Sequence, residues 1–314
     1  MRFNRLDLNL LVALDALLTE RSVTRAAQRL HLSPSATSDA LARLREYFDD
    51  ELLVQVGRRM EPTPRAEALQ QPVRDVLVRV DSTIATQPHF DPARSDRVFR
   101  VFASDYTQMV IGSQVMALAA GQGATVRLDF MPQIAEPHRS LERGDADLLV
   151  LPTPLLSADH PSEVLYRERF VCAVWKDGAL ARGTLTRERY GAAGHVVMHP
   201  QEAANSSYED WFVTRLGVER RIVASSYGFA TVPGLLVGTD LVATMHERLA
   251  RLFLSVWPLV VKPCPLDIPP MEQAIQWHKY RTQDQGIVWL RGLFTQAAAV
   301  LPPPGRAVAG SAGR

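Results

Sequence analysis

The sequence predicts an α/β protein in two parts, an N-terminal all-α winged helix-turn-helix followed by a larger α/β region of two subdomains. Three observations lead there. Small and apolar residues between Arg21 and Phe48 recur at three- and four-residue steps in two short runs separated by Ser33 and Pro34. Beyond residue 90, strand-like apolar runs alternate with helix-like ones, the pattern of α/β layers. With 314 residues and 46% hydrophobic content, the chain has material for more than one core.

In chain order, LDLNLLVALDALLTERS reads as a helix with Leu6, Leu10, Leu11, Leu14, Leu17 and Leu18 inward. Val23, Ala26, Ala27 and Leu30 form one face of the next helix, Ala27 being small enough for close approach, and Leu32 is expected to plug the turn. Ser33 suits the cap and Pro34 the first position of the following helix, where no backbone donor is needed. Its inward stripe is Ala40, Leu41, Leu44 and Phe48, which leaves Ser35, Ser38, Asp39, Ala42, Arg43 and Arg45 outward. Such a short-chained polar face suits a DNA major groove. Five arginines (Arg21, Arg25, Arg29, Arg43 and Arg45) stand there against the one acid Asp39, a composition suited to phosphate. The basic character is local, since Asp49, Asp50 and Glu51 follow and the whole chain has a formal net charge of +1.

LLVQVG and MEPT then read as a hairpin with Arg58 and Arg59 at its tip, a wing for the backbone or minor groove. Thr63 and Pro64 open a helix whose Leu69, Val73, Val76, Leu77, Val80 and Ile84 form a narrow seam suited to a partner helix, with Pro72 as an interruption. A dimer built on that seam would set two recognition helices about one DNA turn apart.

In the larger region RVFRVFAS, TVRLDFMP, ADLLVLP, RFVCAVWK, HVVMHP, RRIVASS, LVATM and MEQAIQWHK read as strands. TQMVIGSQVMALAAG, HRSLERG, TRERYGAA, YEDWFVTRLG, FATVPGLLVG and HERLARLF read as helices, and the alternation implies parallel sheets. Ligands in such sheets sit beyond strand carboxyl ends, which selects Ser104, Asp105, Pro152, His199, Pro200, Gly228 and Phe229 as lining one cleft. Met245, His246, Arg248, Gln276, Trp277 and His278 join them. Arg248 is cast as clamp for an anionic oxygen, Trp277 and Phe229 as stacking partners, Ser104 as hydrogen-bonding a hydroxyl, together suiting a planar acidic or phenolic ligand.

Several function classes find no support. GxSxG, HExxH, GxxxxGK[ST] and CxxC do not occur, so the sequence points away from an enzyme and from a metal or nucleotide cofactor. Arg143, Gly144 and Asp145 read as a helix end and turn. Asp7, Asp15 and Glu20 interrupt the first helix as a signal peptide would not, and no apolar run reaches the ~18 residues of a membrane span. Cys172 and Cys264 lack metal or disulfide spacing and are expected as buried thiols in a reducing cytoplasm. The tail PPPGRAVAGSAGR has almost nothing to bury and reads as disordered.

The stretches LDLNLLVALDALLTERSVTRAA, LARLREYFDDELL, EPTP, SDRVFRVFASDY, DADLLVLP, ERYGAAGHV, YEDWF, GTDLVATM and EQAIQW, in this order, resemble the LysR-type transcriptional regulators, most closely their nodulation-regulator subgroup. The resemblance spans nearly the whole chain. It implies a winged helix-turn-helix (1–64), a linker and dimerisation helix (65–90), two Rossmann-like effector subdomains similar to periplasmic binding proteins (91–167 with 269–301, and 168–268), and a tail (302–314). It further implies promoter DNA, RNA polymerase and a flavonoid-like aromatic inducer as partners, a homodimer or homotetramer, and no membrane or cofactor. Regulation of aromatic catabolism by a salicylate-like ligand, or DNA binding without an inducer, are the alternatives.

Carried over, the DNA-reading positions are Pro34, Ser35, Ser38 and Asp39, with Arg58 and Arg59 in the wing, beside Ser33 and Arg43 from the helical pattern. The effector positions are Ser104, Asp105, His199, Phe229, Arg248 and Gln276. The family's glutamine at the helix start is replaced by Pro34 then Ser35, and its apolar residue before Ser38 by Thr37. Losing the glutamine removes a bidentate reader of adenine and alters the operator sequence to be read.

Overall fold

The computed structural model describes residues 7–57, 59–84, 89–132, 136–199 and 208–303. The chain divides into two units, Met1–Thr86 and Gln87–Arg314.

The first unit contains helices α1 (Leu8–Glu20), α2 (Val23–Leu30) and α3 (Pro34–Phe48), the hairpin β1 (Leu53–Val56) and β2 (Arg59–Pro62), and α4 (Pro64–Ile84). Each of the first three helices starts at a side-chain cap: Asp7 accepts from the Asn9 amide, Ser22 from Arg25 and Ser33 from Ala36. Each stops at a left-handed residue, Arg21, His31 or Asp49. Leu10, Leu14, Leu17, Leu44, Leu52 and Leu53 close the core, with Ala26 fully buried where the helices approach.

Leu32 does not plug the turn. It is 50% exposed, because backbone bonding from its amide to the Ala27 carbonyl at 2.9 Å closes the turn without its side chain. The wing is tied down at its base, where Asp50 accepts from the Leu52 amide at 2.7 Å and the Thr63 hydroxyl at 2.6 Å. The Thr63 hydrogen bond, with that of Leu52, holds the Asp50 carboxyl below its ordinary range. Thr63 also caps α4, its hydroxyl accepting from the Ala66 amide at 3.1 Å.

Pro72 lies inside α4 without ending it. Leu69, Val73 and Leu77 of the expected seam pack into the unit's own core, whereas Val76 and Ile84 remain exposed. Arg74 locks α4 to α1 through Asp15 at 2.7 Å and the Thr19 hydroxyl at 2.8 Å.

The second unit holds two five-stranded sheets. The first, in order β4 (Arg127–Met131), β3 (Val98–Ala103), β5 (Leu148–Pro152), β12 (Met271–Gln276), β6 (Ser162–Glu168), packs between helices that include α5 (Asp105–Thr107), α6 (Ser113–Gly121), α7 (Pro137–Glu142) and α12 (Gln285–Ala299). A π-helical turn, Gln108–Gly112, joins α5 to α6. The second sheet has the order β11 (Leu259–Pro263), β7 (Phe170–Trp175), β10 (Leu241–His246), β8 (Gly194–Met198), β9 (Arg221–Ser226). Its helices are α8 (Arg187–Ala192), α9 (Tyr208–Arg215), α10 (Val232–Leu236) and α11 (Glu247–Phe253).

Neither sheet is purely parallel. β3, β4 and β5 run parallel, as do β8, β9 and β10, but β12 is antiparallel to β5 and β6, and β7 to β10 and β11. The exceptions belong to the two crossings between sheets, β6 to β7 and β11 to β12, where no helix intervenes to restore the strand direction. Cys172 is buried as expected, but Cys264, just past β11, is half-buried. Among the described residues, no helix is long and apolar enough to cross a membrane.

Candidate functional site

In the first unit the exposed face of α3 carries Ser35, Ser38, Asp39, Ala42 and Arg43. Ser33 and Pro34 set where that face begins, and the Ser33 hydroxyl is 3.0 Å from that of Ser35. Thr37, which replaces an apolar residue, is fully buried and donates to the Ser33 carbonyl at 3.1 Å, so it packs like the residue it replaces while satisfying its hydroxyl.

The arginine cluster is mostly spoken for. Arg21 pairs with Glu61 at 2.6 Å, Arg25 with Glu20 at 3.5 Å, and Arg29 with Glu20 at 3.5 Å. Arg45, expected on the outer face, donates to the carbonyls of Glu51 and Leu53, each at 2.8 Å, and fastens the wing to the helix. Arg43 on α3 and Arg59 on the wing are exposed and have no side-chain partner among the described residues. Arg58 lies outside the described residues, as do Leu6, Pro200 and residues 304–314. Gly57 makes the tight tip, at φ +63°, where a side chain is strained.

In the second unit the carboxyl ends of β3, β6, β9 and β10 meet at the junction of the two sheets, where Asp105 reaches Ala230 and Tyr106 touches Glu168 and His246. The Ser104 hydroxyl caps α5 and lies 3.1 Å from that of Thr107. The Gln273 amide donates to Thr107 at 2.9 Å. Asp105 accepts from the Tyr106 amide at 2.9 Å and, across the junction, from the Ala230 amide at 2.8 Å. Tyr106 stacks on His246 with ring centroids 3.7 Å apart, and Phe229 meets the same imidazole edge-on at 4.7 Å. Pro152 is buried at the end of β5, opposite Gln273, and His199 is half-buried after β8, its amide donating to Ser226.

Arg248 is not a free clamp. It lies 3.2 Å from the Glu168 carboxylate and donates to the carbonyls of Arg167 at 2.7 Å and Pro302 at 3.1 Å. Tyr106 donates to the same carboxylate at 2.8 Å. Burial holds the Glu168 carboxyl above its ordinary range against the pull of Arg248, and raises the phenol of Tyr106 well above its own. Burial likewise lowers His246 to about 3, so this imidazole is neutral.

Gln276 and Trp277 are elsewhere. Because β12 is antiparallel, Gln276 stands opposite Leu149 and Ser162, at the other end of the strands, where β5 and β6 begin. It is saturated by the backbone of Ser157 and His160, while Trp277 donates to Thr282 and lies under the Arg291 guanidinium at 3.5 Å. His278 is buried beside His160 at that end, held near 3 chiefly by desolvation. The same reversal puts Gln273 at the junction. Tyr106, Thr107, Glu168 and Gln273 were not singled out from sequence; the one signal was that Gln273 is an uncharged polar residue within the strand-like run MEQAIQWHK.

Two family models match: the bacterial regulatory helix-turn-helix protein of the lysR family over residues 8–67, and the LysR substrate binding domain over residues 92–299. The chain belongs to the LysR family. Similar relatives are Nodulation protein D 1 of Rhizobium leguminosarum bv. phaseoli, 41% identical over 304 residues covering 97% of both chains, and Nodulation protein D 1 of Bradyrhizobium elkanii, 40% identical over 299 residues covering 95% of both. Among solved structures, a "probable transcriptional regulator" from Pseudomonas aeruginosa is 29% identical with TM-score 0.63, over 93% of this chain and 97% of that one. A full-length OxyR variant from the same organism, 16% identical with TM-score 0.68 over 94% and 95%, shares the fold. This LysR-family protein is therefore a helix-turn-helix transcriptional regulator with a substrate-binding domain, and α3 lies within the matched helix-turn-helix region.

Proposed function

We propose that this LysR-family protein activates nodulation genes in response to a flavonoid-like aromatic inducer held at the junction of its two effector subdomains. The observation that carries the reading is the 41% identity, across 97% of both chains, to a nodulation protein D. In this reading Ser35, Ser38, Asp39 and Arg43 face base edges and phosphates of the major groove, and Arg58 and Arg59 reach the adjacent backbone. Ser33 and Pro34 position that helix without reading bases.

Two copies joined through α4, as a dimer or a pair of dimers, would read a two-fold site; the exposed Val76 and Ile84 support such a contact. At the junction, Ser104, Asp105, Phe229 and His199 form the effector site, with Pro152 beneath them. An inducer that fits one arrangement of the subdomains better than the other shifts their balance, and with it how paired DNA-binding units sit on a promoter and meet RNA polymerase. The protein acts as a cytoplasmic regulator and not as an enzyme, and needs no resident cofactor.

The test is footprinting of a divergent nodulation promoter, with transcription measured in parallel, with and without a flavonoid panel. The expected result is a protected two-fold site whose pattern changes with inducer. A footprint and transcript level unmoved by every compound would remove the inducer, and absence of any sequence preference would remove the regulator.

A further inference from the structure

The junction carries an anion of its own, Asp105, and neither Arg248 nor His246 offers it a free positive charge. The Arg248 guanidinium is committed to Glu168 and two carbonyls, and His246 is neutral. Asp105 reaches from the end of β3 to the Ala230 amide at 2.8 Å, an approach possible because residue 228 is glycine. A Cβ on Gly228 would lie 2.8 Å from the same carboxylate oxygen. The first subdomain thus places a carboxylate against the second, at the point where strand ends from both converge.

Two buried polar atoms beside it lack partners among the described residues, the Gln273 side-chain oxygen and His246 Nδ1. Gln273 is only 1% exposed, so water does not reach it freely. A buried polar group left unpaired is costly, and a hydroxyl, which both donates and accepts, can satisfy an amide in either orientation. A carboxylate can offer no proton to the Gln273 oxygen. It would also face Asp105 and the Glu168 charge with Arg248 already engaged, in surroundings where like charges repel more strongly than in water.

We infer that Asp105 is a specificity-determining residue of the junction, restricting the effector to uncharged, hydroxyl-bearing aromatic molecules and rejecting aromatic carboxylates. The inference rests on the reading that an effector binds between the subdomains. It separates a neutral polyphenol from a salicylate-like anion as ligand.

The experiment is calorimetric titration of the full-length protein with matched probes: luteolin and methyl 4-hydroxybenzoate as neutral ligands, 4-hydroxybenzoate as the anion. The wild type is expected to bind the neutral probes and to discriminate against the anion by more than about tenfold. Asp105→Asn, with Asp105→Ser as a second variant in case the first does not fold, is expected to raise the ratio of anion affinity to neutral-ester affinity by about tenfold, whatever each variant does to the ester itself. A purely structural role for Asp105 would weaken all probes together. If the wild type takes the anion as well as the ester, or if the ratio is unmoved in both variants, Asp105 does not set specificity. If no probe binds the wild type at all, the effector reading itself fails and takes this inference with it.

Discussion

The exposed face of α3 and the junction of the two five-stranded sheets meet solvent in opposite ways. Ser35, Ser38, Asp39 and Arg43 are exposed, while Tyr106, Glu168, Arg248 and Gln273 are buried. On the helix, position follows from local phase and the cap at Ser33, and each side chain acts almost alone. At the junction, each polar group is defined by a partner far along the chain: Glu168 with Tyr106, Arg248 with Glu168, Gln273 with Thr107. The difference teaches that a surface built to meet a partner can be changed residue by residue, whereas a buried polar site responds as a unit.

Arg248→Ala should be the severest way to test this, since it leaves Glu168 buried without its cation. A loss of about 3–5 kcal/mol is expected, read as an early denaturant transition of the effector unit. In the other unit Arg74→Ala strips Asp15 of its nearer partner and leaves Arg29 at 3.9 Å; an equal loss there would break the contrast, because the Arg74–Asp15 pair too is mostly buried.

Acid should act next. His246 and His278 sit near 3 and His195 near 4 in the folded chain, all below the ordinary 6.5 and all in the effector unit. Below about pH 6.5 the unfolded chain takes up protons that these buried imidazoles refuse, so stability falls as pH drops through this window. His246→Phe should flatten that loss, seen as a smaller drop in urea midpoint between pH 7 and pH 5. An unchanged pH slope would mean that His246 is not held neutral.

Ser33→Ala removes the cap of α3 and should cost about 1 kcal/mol in thermal or urea unfolding. Smallest in stability is Arg43→Ala, expected within about 0.5 kcal/mol of wild type because the side chain is exposed and unpaired among the described residues. It should nonetheless weaken duplex binding and reduce the slope of log affinity against log salt by about 1. A salt slope that stays the same would move Arg43 off the DNA.

Much of the N-terminal unit was legible from spacing. Helices at three- and four-residue steps, the Ser33 and Pro34 start and the hairpin of the wing all depend on residues adjacent in sequence. The arginine cluster was less so, for pairing with Glu20, Glu61 and the wing backbone is invisible until the unit is folded. In the larger unit most strands and helices could be read, but β6 and β11 were passed over, as was α12 at the end of the region. The strands responsible for the mixed topology are among those that carry the chain between subdomains, and an alternating pattern does not reveal their direction.

From the sequence by itself follow most of the helices and strands, the start of α3 at Ser33 and Pro34, and most of its outward face, Arg45 excepted, because those properties are set by backbone dihedrals and neighbours a few residues apart. Only the tertiary structure decided that Gln273 and not Gln276 stands at the junction, that Arg248 belongs to Glu168, and that Asp105 crosses to Ala230. Strand direction and charge pairing are settled between residues far apart in the chain, 166 positions for Gln273 and Thr107 and 187 for the Arg97–Asp284 pair, and no local pattern encodes such a meeting.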